Sequence, residues 1–359
     1  MTTATLTCLR DHLLVQVDAG HASALRPVID RTGSGLVLVG STSVAVARRL
    51  RDDGFDRPIL IDQRRYGGKA RARGVARFDQ KWTGLQHLAG CSVPLTDSGY
   101  VGDGDNDSLR SVLEQTSRLD QPAIALLALH RSWLRRDFTR LIDTVNEFDV
   151  PIAVVMEHEN DPLSARASVL GLTRLISEAH HGVSVLSCDT SALGALAFGA
   201  TSAAVGTRSG LRHLYPAKGG GPVPPMESAL LRPCLAFYRV GKIAQAVAAE
   251  PDEPAWVCWC RQCKGRTVDW LLRGSAIEVR SHSLELLLDL RDETIASVPA
   301  VNRMQSWRAA CQSAEFFHAS IEASGLFWET PPAIRHWQEI SIDAAGRVRR
   351  EARVDGRLD

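Results

Sequence analysis

Ala123-Ile-Ala-Leu-Leu-Ala-Leu-His130, then Ile152-Ala-Val-Val-Met156, then Val183-Ser-Val-Leu186 are the runs that decide the fold. Each is short and almost wholly apolar, as a strand buried on both faces must be. Between them lie two longer stretches with helical periodicity, Trp133–Phe148 and Ser164–Ala179. Strand, helix, strand, helix, strand is the signature of parallel pairing with the helices as crossovers. Working outward, Leu13–Val17, Leu36–Val39, Pro58–Ile61 and Ser92–Leu95 precede this block as strands, and Ala200–Val205 follows it. Val44–Asp52 and Ser108–Leu119 add further amphipathic stretches. Eight such units fit an α/β (β/α)8 barrel, with a doubly wound open sheet as the structural competitor.

Composition agrees with a large enzyme. The 359 residues are 45% hydrophobic and 23% charged, enough for a substantial core plus an appendage. No apolar stretch approaches the ~18 residues of a membrane span, and the first ten residues lack a signal-peptide layout. Five of the eight cysteines are scattered (Cys8, Cys91, Cys188, Cys234, Cys311), which is no disulfide framework and points to a reducing cytoplasm. The net charge of +1 neither demands nor excludes a nucleic-acid partner.

The other three cysteines fall within six residues, Cys258-Trp-Cys260-Arg-Gln-Cys263, with His282 on a helical stretch beyond. Three thiolates and an imidazole suit zinc, and four protein ligands close its shell, so this metal would be structural. The chain therefore divides into a barrel over 1–245, a zinc-binding subdomain over 246–300 and a C-terminal helical segment over 301–359. Gly219–Pro225 is a breaker cluster between barrel and subdomain. Trp307, Phe316, Phe317, Phe327, Trp328 and Trp337 would pack the last segment against the barrel.

In a barrel the loops after the C-terminal strand ends converge on one pocket. Here those ends carry Asp62, Asp97, His130, Glu157 with His158, and Asp189. Arg64, Arg65, Lys69, Arg71, Arg73 and Arg77 follow Asp62 directly, six cations in fourteen residues, placed as a phosphate-binding rim would be. A second cluster, Arg131, Arg135, Arg136 and Arg140, follows His130.

Cys258–Cys263 followed by His282-Ser-Leu-Glu-Leu-Leu-Leu-Asp-Leu-Arg-Asp-Glu-Thr-Ile resembles the zinc subdomain of the tRNA-guanine transglycosylase superfamily, with a somewhat shorter gap from Cys263 to His282. There the histidine ligand opens a helix. The resemblance implies a barrel with the zinc subdomain inserted late, and exchange of a guanine in a polynucleotide for a 7-deazaguanine. Residue by residue, it implies that Asp62 is the acid–base or substrate-orienting carboxylate and Tyr66 the stacking ring. Asp97, in Asp97-Ser98-Gly99-Tyr100, would recognise the purine. Asp62 and Asp97 are alternatives for each other's role. Ser98, Gly99, Tyr100 and His130 complete the expected substrate-binding set. Thr207-Arg208-Ser209-Gly210 matches the family's strand-eight motif, and Arg208 joins the expected nucleic-acid contacts.

The aspartate nucleophile of that motif is missing from 200–210. A carboxylate nucleophile divides one hard displacement into two by forming a covalent glycosyl intermediate. Asp189, one strand away, is the carboxylate that can take its place. This departure looks more like the divergent branch acting on DNA than an ordinary tRNA enzyme, with a helper protein or a homodimer as partner. The alternatives are a catalytically silent partner subunit, a tRNA enzyme proper, and a barrel nucleosidase or glycosidase built on paired carboxylates.

Overall fold

The computed structural model describes residues 3–217, 226–326 and 328–340. The apolar runs form eight parallel strands: β1 (His12–Asp18), β2 (Ser34–Val39), β3 (Ile59–Asp62), β4 (Tyr100–Val101), β5 (Ala125–His130), β6 (Ile152–Glu157), β7 (Val183–Cys188) and β8 (Ser202–Gly206). They lie in the order β3-β2-β1-β8-β7-β6-β5-β4. β8 returns to β1, with Leu14 opposite Ala204. A doubly wound sheet instead places the chain's middle strand beside β1. Pairing of first with last is the cyclic order of a curled, barrel-like sheet.

Period-two alternation sorts the side chains. Leu13, Val15 and Val17 of β1 join the core beneath the helices. Leu14 joins an inner cluster with Val37, Leu60, Leu126, Val155, Leu186 and Ala204, enclosed by the sheet. The outer layer is α1 (Ala22–Ile29), α2 (Ser43–Asp52), α3 (Gln80–Leu88), α4 (Asn106–Ser117), α5 (Phe138–Asn146), α6 (Arg166–Glu178) and the short, fully buried α7 (Ser191–Ala197).

The fourth strand departs from expectation. Its ladder forms at Tyr100–Val101, opposite Ala128 and Leu129, and not at Ser92–Leu95. Residues 92–96 still run between β3 and β5. The Ser92 N–H donates to the Ile59 carbonyl at 3.1 Å, and the Ile124 N–H to the Pro94 carbonyl at 2.9 Å. Leu95 alone makes a bridge, to Ile124 just ahead of β5. Its own N–H donates to Gln86 at 3.0 Å and its carbonyl accepts from Trp82 and Gln86 of α3 at 3.0 and 2.8 Å, so the ladder stays open between β3 and β4.

After β8 come an antiparallel hairpin, β9 (Ser228–Leu231) and β10 (Ala236–Arg239), then α8 (Val240–Ala249). A two-residue hairpin, β11 (Val257–Cys258) with β12 (Arg266–Thr267), precedes α9 (Ala276–Arg291). His282 was expected to open this helix, yet α9 begins six residues earlier, where Ser275 and Glu278 form a reciprocal capping box. α9 is buried along most of its length, and at its far end Arg291 donates to the Asp11 carbonyl at 2.8 and 3.1 Å.

α10 (Arg303–Ala323) and α11 (Pro332–Glu339) close the described chain. Trp307, Trp328 and Trp337 are buried. Trp307 and Trp337 press on Gly194 of α7, where an added Cβ would lie 2.7 Å from either indole. Phe316 is exposed. Phe327, the Gly219–Pro225 cluster and the arginine-rich tail lie outside the described residues. Among the described residues no helix is long and apolar enough to cross a membrane.

Candidate functional site

The Cys258, Cys260, Cys263 and His282 ligand atoms all lie within 4.8 Å of one another. Nδ1 of His282 is 3.8, 3.4 and 3.2 Å from the sulfurs of Cys258, Cys260 and Cys263. Zn–S and Zn–N bonds at a tetrahedral angle imply S···N separations of about 3.6 Å, so the donor set fits a tetrahedral metal. The other imidazole nitrogen lies 3.0 Å from the Leu230 carbonyl of β9, which aims Nδ1 at the cysteines. Cys263 Sγ also accepts the Trp270 indole N–H at 3.2 Å. The knuckle turns through Lys264 and Gly265, both at positive φ.

At the mouth of the sheet, the two aspartates read first from the sequence are sealed. Asp62 is 1% exposed. Its Oδ2 accepts the Tyr66 hydroxyl at 2.5 Å and the Gln16 amide at 3.4 Å, while Oδ1 accepts the Arg64 N–H at 2.8 Å. Burial pushes its carboxyl up. Tyr66 is fully buried, so in this arrangement it turns no face toward a ligand. Asp97 is likewise buried and pushed up by burial, with Arg65 at 2.5 Å from Oδ2 and the Asp79 N–H at 3.2 Å. Ser98 shares a buried hydrogen bond with Thr96 at 2.7 Å. His130 caps its own turn, taking the Ser132 N–H at 3.3 Å.

The arginine-rich stretch after β3 is a strap tied across this mouth. Arg64 donates to the Gly210 carbonyl beyond β8 at 2.8 Å. Arg71 pairs with the buried Glu157 at the end of β6, which also accepts the Tyr100 hydroxyl. Arg71 lies 3.6 Å over the Tyr100 ring. Arg73 pairs with Asp105 at 3.0 Å. Ala72 and Gly74 bond to the Tyr100 backbone, a contact that needs Gly99, since a Cβ there would lie 2.1 Å from the Arg73 carbonyl oxygen. Arg208 is held by Asp18 at 2.6 and 2.9 Å. Of the six residues expected to contact nucleic acid, only Lys69 is without such a tie among the described residues.

Asp189 differs. It lines a cavity of about 250 Å³ beside the ends of β6, β7 and β8, walled on the far side by Trp307, Ile334 and Trp337 of α10 and α11. Asp189 Oδ1 accepts the Ser191 N–H at 2.8 Å. Asp161 shares the cavity, its Oδ1 accepting the Leu163 N–H at 2.8 Å. Burial, then the charge of Asp189, pushes Asp161 up to about 7. Arg212 lines the same cavity, stacked 3.4 Å over Phe237. Its Nη1 donates to Ser228 at 3.0 Å while Nη2 is buried without a partner. Nε2 of His213 is buried and unpartnered too, and burial lowers that imidazole to about 4. Sequence reading reached Asp189 but missed Asp161, Arg212 and His213. Asn160-Asp161-Pro162 reads as a turn, and Arg212 as one more cation after the Thr207–Gly210 motif.

No protein-family model matches this sequence, and no curated protein is similar to it. Among solved structures it is similar to the carboxyl transferase domain of Rhizobium etli pyruvate carboxylase. With 3-bromopyruvate, the TM-score is 0.36 and the identity 12%, over 93% of this chain and 60% of that one. With oxamate and biotin, the values are 0.36 and 11%, over 89% and 56%. Likeness at this level bears on neither activity nor ligand.

Proposed function

We propose that this chain is a transglycosylase of the tRNA-guanine transglycosylase superfamily, with a (β/α)8 barrel and a structural zinc. It replaces guanine in a polynucleotide, DNA in preference to tRNA, by a 7-deazaguanine. The observation that carries this reading is Asp189 opening into a strand-end cavity the size of one heterocycle, below the span of drug-sized pockets. The carboxylate attacks C1′ of the sugar, the glycosidic bond breaks, and the incoming base reverses the attack. Reaching a paired base requires extruding it from the stack. Cys258, Cys260, Cys263 and His282 would hold the zinc, which ties the knuckle to α9 and takes no part in the reaction. The DNA preference rests on the missing strand-eight aspartate.

Nucleoside mass spectrometry of digested DNA and tRNA, from cells with and without the gene and its neighbours, tests the reading. A deazaguanine deoxynucleoside present only with the gene, and lost in Asp189→Ala, is the expected result. A change confined to tRNA would assign the tRNA reaction. A second reading, the silent partner subunit, draws on the sealed state of Asp62 and Asp97. An unchanged pair of digests, with metal bound and the chain folded, would select it.

A further inference from the structure

We infer that Asp161 is the acid of this site, protonating the departing base and taking a proton from the incoming one. The inference rests on the base-exchange reading above. It starts from geometry: Asp161 and Asp189 line one cavity, and neither carboxylate has an ion-pair partner among the described residues. Asp62, to which the resemblance gives the acid–base role, has both oxygens taken and does not line this cavity. The titratable and charged groups around Asp161 are Cys188 and Asp189 at the end of β7, Arg212, His213 and Tyr215 beyond β8, and His336 of α11, which bonds to the Ser164 carbonyl. A buried carboxyl that keeps its proton beside a second carboxylate is placed to be the acid of the pair. Burial and the neighbouring Asp189 hold the proton on Asp161 up to about pH 7.

The step balances without a co-reactant. Asp189 bonds to C1′ as the C–N bond breaks. The electron pair goes to the base nitrogen, which takes the Asp161 proton, and guanine leaves neutral. The incoming heterocycle then gives its N–H proton to Asp161 while its nitrogen bonds to C1′ and Asp189 departs as carboxylate.

The test is exchange of ¹⁵N-labelled guanine into duplex DNA and into tRNA by the full chain and by Asp161→Asn, which keeps the acceptor for Leu163. Loss of a general acid should lower kcat by about 10²–10⁴-fold, with KM changed little and the alkaline limb of the pH profile gone. A parallel ¹³C-carboxyl NMR titration should show an aspartate with a midpoint near 7 that Asp161→Asn lacks. Wild type and variant exchanging equally fast, or no such resonance, would overturn the inference. No exchange by the wild type in either polymer would instead overturn the base-exchange reading, a separate outcome.

Discussion

At Asp161 a single proton couples site chemistry to stability. Its carboxyl titrates at about 7 in the fold against 3.8 as the ordinary value. Between those limits the native state binds a proton that the unfolded chain has lost, so stability falls as pH rises. Wild type should therefore lose Tm between pH about 4 and about 7 more steeply than Asp161→Asn, as thermal melts across that range will show. Asp62 and Asp97 are also pushed up and add to the wild-type slope in both proteins, so the difference between them isolates Asp161. Asp189→Asn removes the neighbouring charge and should move the Asp161 midpoint downward. Of the two carboxylates lining the cavity only Asp189 was read from the sequence, because a strand end can be counted along a chain. What a carboxylate meets across the fold cannot, and the same limit hid Tyr66 closing over Asp62.

The elements around the site were legible where periodicity alone determines them. Seven of the eight expected strands overlap observed ones. The fourth moved because the Leu95 backbone is bonded to Gln86 and Trp82 of α3, a contact across the fold that hydropathy does not carry. The strap's docking, by contrast, hangs on a backbone approach that no periodicity reveals. Gly99→Ala would drive a methyl into the Arg73 carbonyl, break the Tyr100 N–H bond to Ala72 and loosen Arg71 from Glu157. A loss of about 1–3 kcal/mol, of the size seen for overpacking, is expected from urea unfolding. α9 makes a matching prediction. It carries His282 near its middle and grips Asp11 through Arg291 at its C-terminal end, so its docking should depend on the metal. Metal analysis should find about one zinc per chain, and Cys260→Ala or a chelator should remove it and lower Tm.

For the whole molecule the question is how a chain of net charge +1 would hold a polyanion. The sequence offers a dense basic rim, and the fold spends most of it internally: Arg65, Arg71, Arg73 and Arg208 each face a carboxylate. Lys69, Arg77, Arg131 and Arg135, on the loops after β3 and β5, have no carboxylate partner among the described residues. Each phosphate neutralised on duplex DNA contributes about −0.9 to the slope of log K against log salt. If those four cations make the contacts while the strap stays closed, the slope should be about −3.6. If the polymer draws the four paired arginines off their carboxylates, eight contacts give about −7.2, and Asp97 and Glu157 become uncovered in the same event. Fluorescence-anisotropy binding of duplex DNA between 50 and 200 mM salt, the range over which counterion release is usually read, separates the two. The closed strap predicts the shallow slope, unchanged in an Arg71→Met variant. A steep slope that Arg71→Met reduces by about one contact would instead make the strap part of the nucleic-acid surface, opened by its substrate.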